Sequence, residues 1–228
     1  PRESVVMNPG NRLVIFSGPS GVGKGPLQAA VKEICPALVA DRPILYTSRD
    51  PRVGEKQDVD YHFRSKELIK SLRGDPRFAV AKVRKDWQAI DVDAIPVVAD
   101  GQVVLAEVFH SFGKVLKDMA AELSMNVTSV FLLPLPPGSE DSATEEEIRK
   151  RLNNRNADPP ESIEERAKCA PVEVEAAIDY THKIVNPAGE DNTGQWGEFG
   201  TRCNVKGKEK IKLLGDLGSD ARCLVEIF

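Results

Sequence analysis

A glycine-rich stretch near the start of the chain has the residue types that bind phosphate. Residues 17–26 read SGPSGVGKGP, in which four residues separate Gly18 from Gly23 and Lys24 follows directly. Glycines in this spacing let backbone N–H groups converge on phosphate oxygens, while the lysine neutralises phosphate charge. The pattern predicts a phosphate-binding loop whose contacts come from Ser20, Gly21, Val22, Gly23, Lys24 and Gly25.

The flanking residues predict the strand and the helix that such a loop requires. RLVIF at 12–16 is a continuous apolar run, which is typical of a buried parallel strand. Apolar residues then recur at helical spacing from Leu27 to Ile34. A strand, a glycine loop and a helix therefore follow one another in the order of a P-loop.

A second group of phosphate-binding residue types lies in TSRDPRVGEKQDVDYHF, at 47–63. Arg49 and Arg52 stand three residues apart around Pro51, and Tyr61 follows nine residues later. These side chains suit a second phosphate, because guanidinium groups bind phosphate bidentately. The alternative is a solvated basic turn, which a P-loop in the same chain disfavours.

Strands and helices alternate along the rest of the chain. FAVAKV at 78–83, VVLAEVF at 103–109 and HKIVN at 182–186 predict strands, and SFGKVLKDMAAEL at 111–123 predicts an amphipathic helix. Residues 138–168 are charged and offer little apolar surface, which is typical of a mobile hairpin or lid. Pro171 is expected to interrupt or kink the helix after it. The alternation predicts a three-layer α/β fold around a mostly parallel sheet.

Length, charge and cysteine content narrow the class of protein. The 228 residues suit one α/β domain with a small appendage. A net charge of −4 argues against a nucleic-acid partner and favours a phosphorylated metabolite. No run approaches the ~18 apolar residues of a membrane span, and the four cysteines include no C-x-x-C pair. We expect a reduced cytoplasmic protein with no membrane partner.

From Arg12 to Asn186 the chain resembles the guanylate kinase family. Six short blocks occur in the family's order and at about its spacing: GPSGVGK, SRDPRVGE, DYHF, RKRLNNR, ESIEER and HKIVN. The resemblance implies a P-loop nucleoside-monophosphate kinase fold built as a single domain over 1–228. Its expected parts are a core at 12–41, 97–138 and 169–190, an acceptor-binding subdomain at 42–96, a helical lid at 139–168 and a C-terminal extension at 191–228.

The resemblance also implies a role for each matching residue. Lys24 would bind the phosphates of ATP, and Arg49, Arg52 and Tyr61 would hold the acceptor's phosphate. Glu107 would hold Mg²⁺ through water, unless it is simply an edge-strand carboxylate. Three lid arginines would neutralise charge on the transferring phosphoryl group, or else would be solvated partners of nearby glutamates. They are Arg151, Arg155 and Arg166.

Departures from the family's pattern fall mainly at the positions that would contact the base of the acceptor. Val80 stands where the family reads guanine with a glutamate, and Leu45, Trp87, Gln88 and Ile90 replace other polar or aromatic positions. Apolar side chains offer no hydrogen bonds to guanine, so the acceptor's base is read differently or not at all.

Two further departures follow the P-loop lysine. Gly25 stands where a serine or threonine is usual, as it does in some members of the family, and Pro26 replaces a threonine. Proline is tolerated in the first turn of a helix, but it supplies neither a hydroxyl nor an N–H to the donor. We expect phosphate binding or turnover about 10- to 100-fold weaker than with threonine.

These features predict an ATP- and Mg²⁺-dependent phosphotransferase that acts on a nucleoside monophosphate, either GMP or a related acceptor. Two alternatives stay open. The first is a kinase for another phosphorylated acceptor such as ribose 1,5-bisphosphate, whose kinase class has a TRD stretch like TSRD. The second is a degenerate module that binds a ligand or a protein without turnover. Retention of Lys24 and the lid arginines favours an enzyme, since a binding module needs none of them.

Overall fold

The computed structural model describes residues 12–40, 42–51, 54–96, 98–99, 102–123, 125–155 and 158–186, together with Leu224 and Ile227. Within this part the chain forms two compact units. The first unit falls within the ranges Pro1–Ile15 and Ala40–Thr128. The second unit falls within the ranges Phe16–Val39 and Ser129–Phe228. The finer division into core, acceptor-binding subdomain and lid stays a prediction. The C-terminal extension lies outside the described residues except for Leu224, which is buried, and Ile227.

The described residues form eight strands and five α-helices. The strands are β1 (Arg12–Ser17), β2 (Tyr46–Thr47), β3 (His62–Phe63), β4 (Phe78–Val83), β5 (Asp86–Asp91), β6 (Val104–Glu107), β7 (Asn126–Leu133) and β8 (His182–Val185). The helices are α1 (Lys24–Ile34), α2 (Lys66–Ser71), α3 (His110–Glu122), α4 (Asp141–Arg155) and α5 (Pro160–Glu175). Every strand and helix named from the sequence above is present.

One four-stranded sheet has the order β6-β1-β7-β8. Strands β7 and β8 are parallel, with Val130 opposite His182. Residues 13–16 of β1 and 130–133 of β7 are each at most 2% exposed. Continuous apolar runs of this kind form strands that are covered on both faces.

The other sheet, of order β3-β2-β5-β4, lies in the first unit. Strand β2 is parallel to β3 and antiparallel to β5, and β4 pairs with β5 as an antiparallel hairpin. Helix α2 follows β3 and is preceded by the N-cap residue Ser65, whose Oγ accepts a hydrogen bond from Leu68 N at 3.2 Å. The connection between β2 and β3 carries the residues predicted to bind the acceptor.

The charged hairpin predicted at 138–168 corresponds to the helix pair α4 and α5. Its expected lack of apolar surface is wrong, because a buried cluster joins the two helices. An interruption at Pro171 is also wrong, since α5 continues to Glu175, while the kink expected as its alternative stays a prediction. Apolar contacts on the preceding turn offset the hydrogen bond that proline cannot donate. The cluster consists of Ile148, Leu152, Ile163, Ala167 and Ala170.

Candidate active site

The predicted phosphate-binding loop connects β1 to α1. A Cβ added to Gly18 would lie 2.7 Å from the Leu132 carbonyl oxygen, so the close approach to β7 requires glycine. Gly23 precedes α1 with a φ of 88°, a left-handed conformation that glycine adopts without strain. Because Lys24 is the first residue of α1, the helix N-terminus forms the end of the loop.

The ammonium group of Lys24 lies across its own loop. Its Nζ donates hydrogen bonds to the carbonyl oxygens of Gly18 and Pro19, each at 2.9 Å. These bonds hold the positive charge of Lys24 at the loop. A preorganised charge of this kind binds an anion without further rearrangement.

Gly25 and Pro26 leave the start of α1 intact. Leu27 N donates to the carbonyl oxygen of Gly23 at 3.0 Å, so the first turn closes around Pro26. Proline fits because the first N–H groups of a helix have no acceptor within it. A Cβ on Gly25 would meet no other atom within 4 Å, so the loop has room for a serine there.

Two buried polar side chains support the loop, and sequence reasoning missed both. Asn186 donates its Nδ2 to the carbonyl oxygen of Val22 at 2.9 Å. The hydroxyl of Tyr180 donates to Ser17 Oγ at 2.8 Å. Burial raises the pKa of Tyr180 although this hydrogen bond opposes the shift, so the phenol remains a neutral donor. An asparagine directly after the apolar run of β8 was the available signal.

Arg151 lies in the interior of the second unit, where its side chain is 1% exposed. Its Nε donates to Glu147 at 2.6 Å. Its Nη1 and Nη2 donate to the carbonyl oxygens of Asn186 and Pro134, both at 3.0 Å. A buried guanidinium needs such partners, and these link α4 to the end of β8. The arrangement gives Arg151 a structural role, while its predicted contact with the donor stays a prediction.

Arg155 and Arg166 meet at one carboxylate, which sequence reasoning also missed. Asp158 Oδ2 accepts a close hydrogen bond from Arg155 Nη2 and another from Arg166 Nη1 at 3.0 Å. Arg166 Nη1 also lies 3.4 Å from Ser20 Oγ, in the phosphate-binding loop. The structure thus brings two of the three predicted lid arginines together and places Arg166 at the loop.

In the first unit, Arg49 and Tyr61 lie together. The Arg49 guanidinium makes two hydrogen bonds to Glu55, at 2.7 and 2.6 Å, and lies 4.8 Å from the centroid of the Tyr61 ring. Burial acts to lower the pKa of Arg49, but Glu55 outweighs it and raises that pKa. Glu55 therefore orients the Arg49 guanidinium, which stays positively charged. Arg52 lies outside the described residues, and Glu55 was not predicted from the sequence.

Tyr61 is a neutral hydroxyl donor near a carboxylate. Burial raises its pKa, the negative charge of Glu107 raises it further, and Arg49 opposes the shift. Glu107 ends β6 and is half-buried. Among the described residues no three His, Cys, Asp or Glu side chains cluster to hold a metal. Mg²⁺ commonly keeps several waters and takes one or two carboxylates besides phosphates, so a single carboxylate at Glu107 is chemically compatible with it.

The positions that depart from the family's pattern are largely packed among apolar side chains. Trp87 packs with Ile69 in a buried cluster, against which Val80 is packed. Leu45 and Ile90 are also buried. Gln88, which is half-buried, is the polar member of the five. These contacts leave little hydrogen-bonding capacity for a base.

Comparisons with known proteins agree on one family. The family model for guanylate kinase matches residues 10–196. The guanylate kinase of Clostridium perfringens is 31% identical over 186 residues, which cover 78% of this chain and 77% of that protein. The guanylate kinase of Prochlorococcus marinus is 30% identical over 183 residues, covering 77% of this chain and 89% of that protein.

The fold agrees with the sequence comparison. The crystal structure of guanylate kinase from Anaplasma phagocytophilum superimposes with a TM-score of 0.56 and 20% identity, covering 88% of this chain and 90% of that one. The α/β P-loop kinase fold expected from the sequence is thereby confirmed. Among the helices that the structure describes, none has the length and hydrophobicity of a membrane span.

Proposed function

Because this chain belongs to the guanylate kinase family, whose members are nucleoside-monophosphate kinases, we propose that it transfers the γ-phosphoryl group of ATP to a nucleoside monophosphate. The observation that carries the proposal is the P-loop with Lys24 Nζ held across it by Gly18 and Pro19. A charged lysine in this position serves phosphoryl transfer, and a module that only binds protein does not need it. As in the sequence-based expectation, the proposed compartment is the cytoplasm.

The donor side of the reaction uses the second unit. The N–H groups of the loop and of the start of α1 donate hydrogen bonds to the phosphate oxygens of ATP, and Lys24 neutralises their charge. Arg166 lies beside Ser20 and, with Arg155, supplies positive charge to the transferring group. Asn186 and Arg151 keep the loop and α4 in place through buried hydrogen bonds.

The acceptor side uses Arg49, Arg52 and Tyr61 to hold the acceptor's phosphate. A phosphate oxygen of the acceptor attacks the γ-phosphorus, the bond between that phosphorus and the β,γ-bridging oxygen breaks, and ADP leaves with the electron pair. The protein contributes positioning and positive charge, which are nearly all that phosphoryl transfer requires. When bound, Mg²⁺ adds positive charge at the donor phosphates, and Glu107 is the residue proposed to hold it through water.

The acceptor is proposed to be GMP or a related nucleoside monophosphate. Family membership favours GMP, while the packing of Val80 and Trp87 in an apolar cluster supports weaker selection for guanine. A site without paired polar groups discriminates poorly between bases. We therefore expect broader acceptor use than a guanine-specific site allows.

A coupled assay for ADP release tests this function. ATP is offered with GMP, dGMP, AMP, UMP, CMP and ribose 1,5-bisphosphate, and Lys24→Ala is the control. We expect turnover with at least one nucleoside monophosphate and loss of that turnover in Lys24→Ala. Turnover with ribose 1,5-bisphosphate alone would contradict the proposed acceptor class. If no acceptor reacts above the Lys24→Ala background although ATP binds, the chain is a binding module.

A further inference from the structure

One carboxylate in the second unit binds two guanidinium groups with the same oxygen. Asp158 lies between α4 and α5, and its Oδ2 accepts hydrogen bonds from both Arg155 and Arg166. The Asp158 side chain is 5% exposed, compared with 23% for Arg155 and 13% for Arg166. The carboxylate is therefore the most enclosed member of this triad, with its charge directed at the two arginines.

The shared oxygen has an electrostatic consequence. Two guanidinium groups that converge on one point repel each other, and the repulsion grows where water is partly excluded. Asp158 offsets that repulsion and fixes both groups in place. The triad keeps a net positive charge, and Arg166 Nη1, which lies 3.4 Å from Ser20 Oγ, brings it to the phosphate-binding loop.

We propose that Asp158 is a built-in counter-anion that positions Arg155 and Arg166 and competes with the donor's phosphate oxygens for them. Carboxylate and phosphate oxygens accept the same charge-assisted hydrogen bonds from guanidinium, so an arginine that turns to phosphate leaves Asp158. The carboxylate also repels the incoming phosphates. Asp158 thereby weakens donor binding while it keeps the arginines aligned. The inference rests on the proposed binding of ATP at the P-loop.

A purely structural role makes the opposite prediction for affinity. If Asp158 did no more than stabilise the start of α5, its replacement would loosen the arginines and weaken ATP binding. A counter-anion, once neutralised, leaves one negative charge fewer beside the two guanidinium groups. Its removal therefore tightens ATP binding, which a loss of packing would not do.

Titration calorimetry with ATP, in the absence of acceptor, separates the two roles. We expect Asp158→Asn to bind ATP about 5- to 50-fold more tightly than the wild type, as the release of charge-assisted hydrogen bonds implies. Asp158→Glu retains the charge and should stay near the wild-type affinity. Glu161→Gln is the matched control, because it removes one negative charge from an exposed position three residues away and should change affinity little.

The outcomes distinguish this inference from the proposed function. Circular dichroism first establishes that each variant is folded, and Asp158→Ser repeats the charge removal if the asparagine variant does not fold. ATP binding to a folded variant that is equal to or weaker than in the wild type overturns the counter-anion while the kinase assignment stands. An equal gain in Glu161→Gln also overturns it, because the effect would then be nonspecific charge. Failure of the wild type to bind ATP would contradict both the proposed kinase function and the counter-anion role of Asp158.

Discussion

Asn186 donates its side-chain amide to the carbonyl oxygen of Val22 at 2.9 Å, although the two residues are 164 positions apart in the chain. The carbonyl of the same asparagine accepts a hydrogen bond from Arg151. The phosphate-binding loop is thus tied to the residue after β8 and, through it, to α4. Because these groups are buried, each of them needs its partner.

Replacing Asn186 with alanine should both lower the unfolding free energy of the chain and raise its KM for ATP. The change leaves the Val22 carbonyl without its donor in a buried position, which costs about 1–3 kcal/mol of unfolding free energy. The KM for ATP should rise because Val22 belongs to the loop. Urea denaturation and initial-rate kinetics measure the two effects. The control Asn154→Ala, at an exposed position of α4, should change stability by about 0.5 kcal/mol or less. Equal effects of the two variants would contradict the prediction.

Replacing Pro26 with threonine should raise activity if the chain is an enzyme. The change supplies a hydroxyl and an N–H at the first turn of α1, and we expect kcat/KM for ATP to rise about 10- to 100-fold. Pro36→Thr is the matched control, since Pro36 is exposed beyond the end of α1. If kcat/KM for ATP rises no more than in that control, Pro26 does not weaken the donor site.

Serine should be tolerated at one glycine of the loop and rejected at another. Gly25→Ser places its Cβ in open space, and serine is a better helix former than glycine, so unfolding free energy should rise by about 0.5 kcal/mol. Gly18→Ser places its Cβ 2.7 Å from the Leu132 carbonyl oxygen and should be strongly destabilising. Thermal unfolding of both variants checks the contrast. Similar behaviour of the two would show that the close approach at Gly18 is not required.

Replacing Arg49 with lysine should affect the acceptor more than the donor. Lysine cannot form the two-pronged contact that Glu55 orients, so the acceptor's KM should rise about 10- to 100-fold while the KM for ATP stays nearly constant. Arg64→Lys, at a half-exposed arginine paired with Asp58, is the control. A parallel rise in both KM values would argue against a dedicated acceptor site.

The buried phenol of Tyr180 should make stability fall at alkaline pH. Burial raises its pKa above the ordinary value of 10.0. In the unfolded chain the phenol loses its proton near that value, while the folded chain still holds it. The unfolded state then binds fewer protons, so stability is complete below pH 10 and decreases as the pH rises above it. Tyr180→Phe should flatten this decrease in urea titrations between pH 9 and about 11. An unchanged slope would rule out this contribution.

Local patterns predicted the elements around the P-loop well. The strand, the loop and the helix that meet at Lys24 depend on neighbouring residues, so spacing and apolar runs were sufficient. Patterns were less reliable for the hairpin of α4 and α5. Its apolar residues are sparse in each helix, and they form a core only when the two helices pack against each other. In this pair α5 also continues past Pro171, although proline disfavours the interior of a helix.

The sequence by itself determined the family and the charged groups that are predicted to bind phosphate. The tertiary structure decided how those groups are distributed. Three lid arginines look equivalent in the sequence, yet Arg151 is buried beside Asn186, while Arg155 and Arg166 converge on Asp158. The physical reason is that a guanidinium's role depends on its burial and on the acceptors it meets. Those acceptors come from residues distant in the chain, whose positions only packing determines.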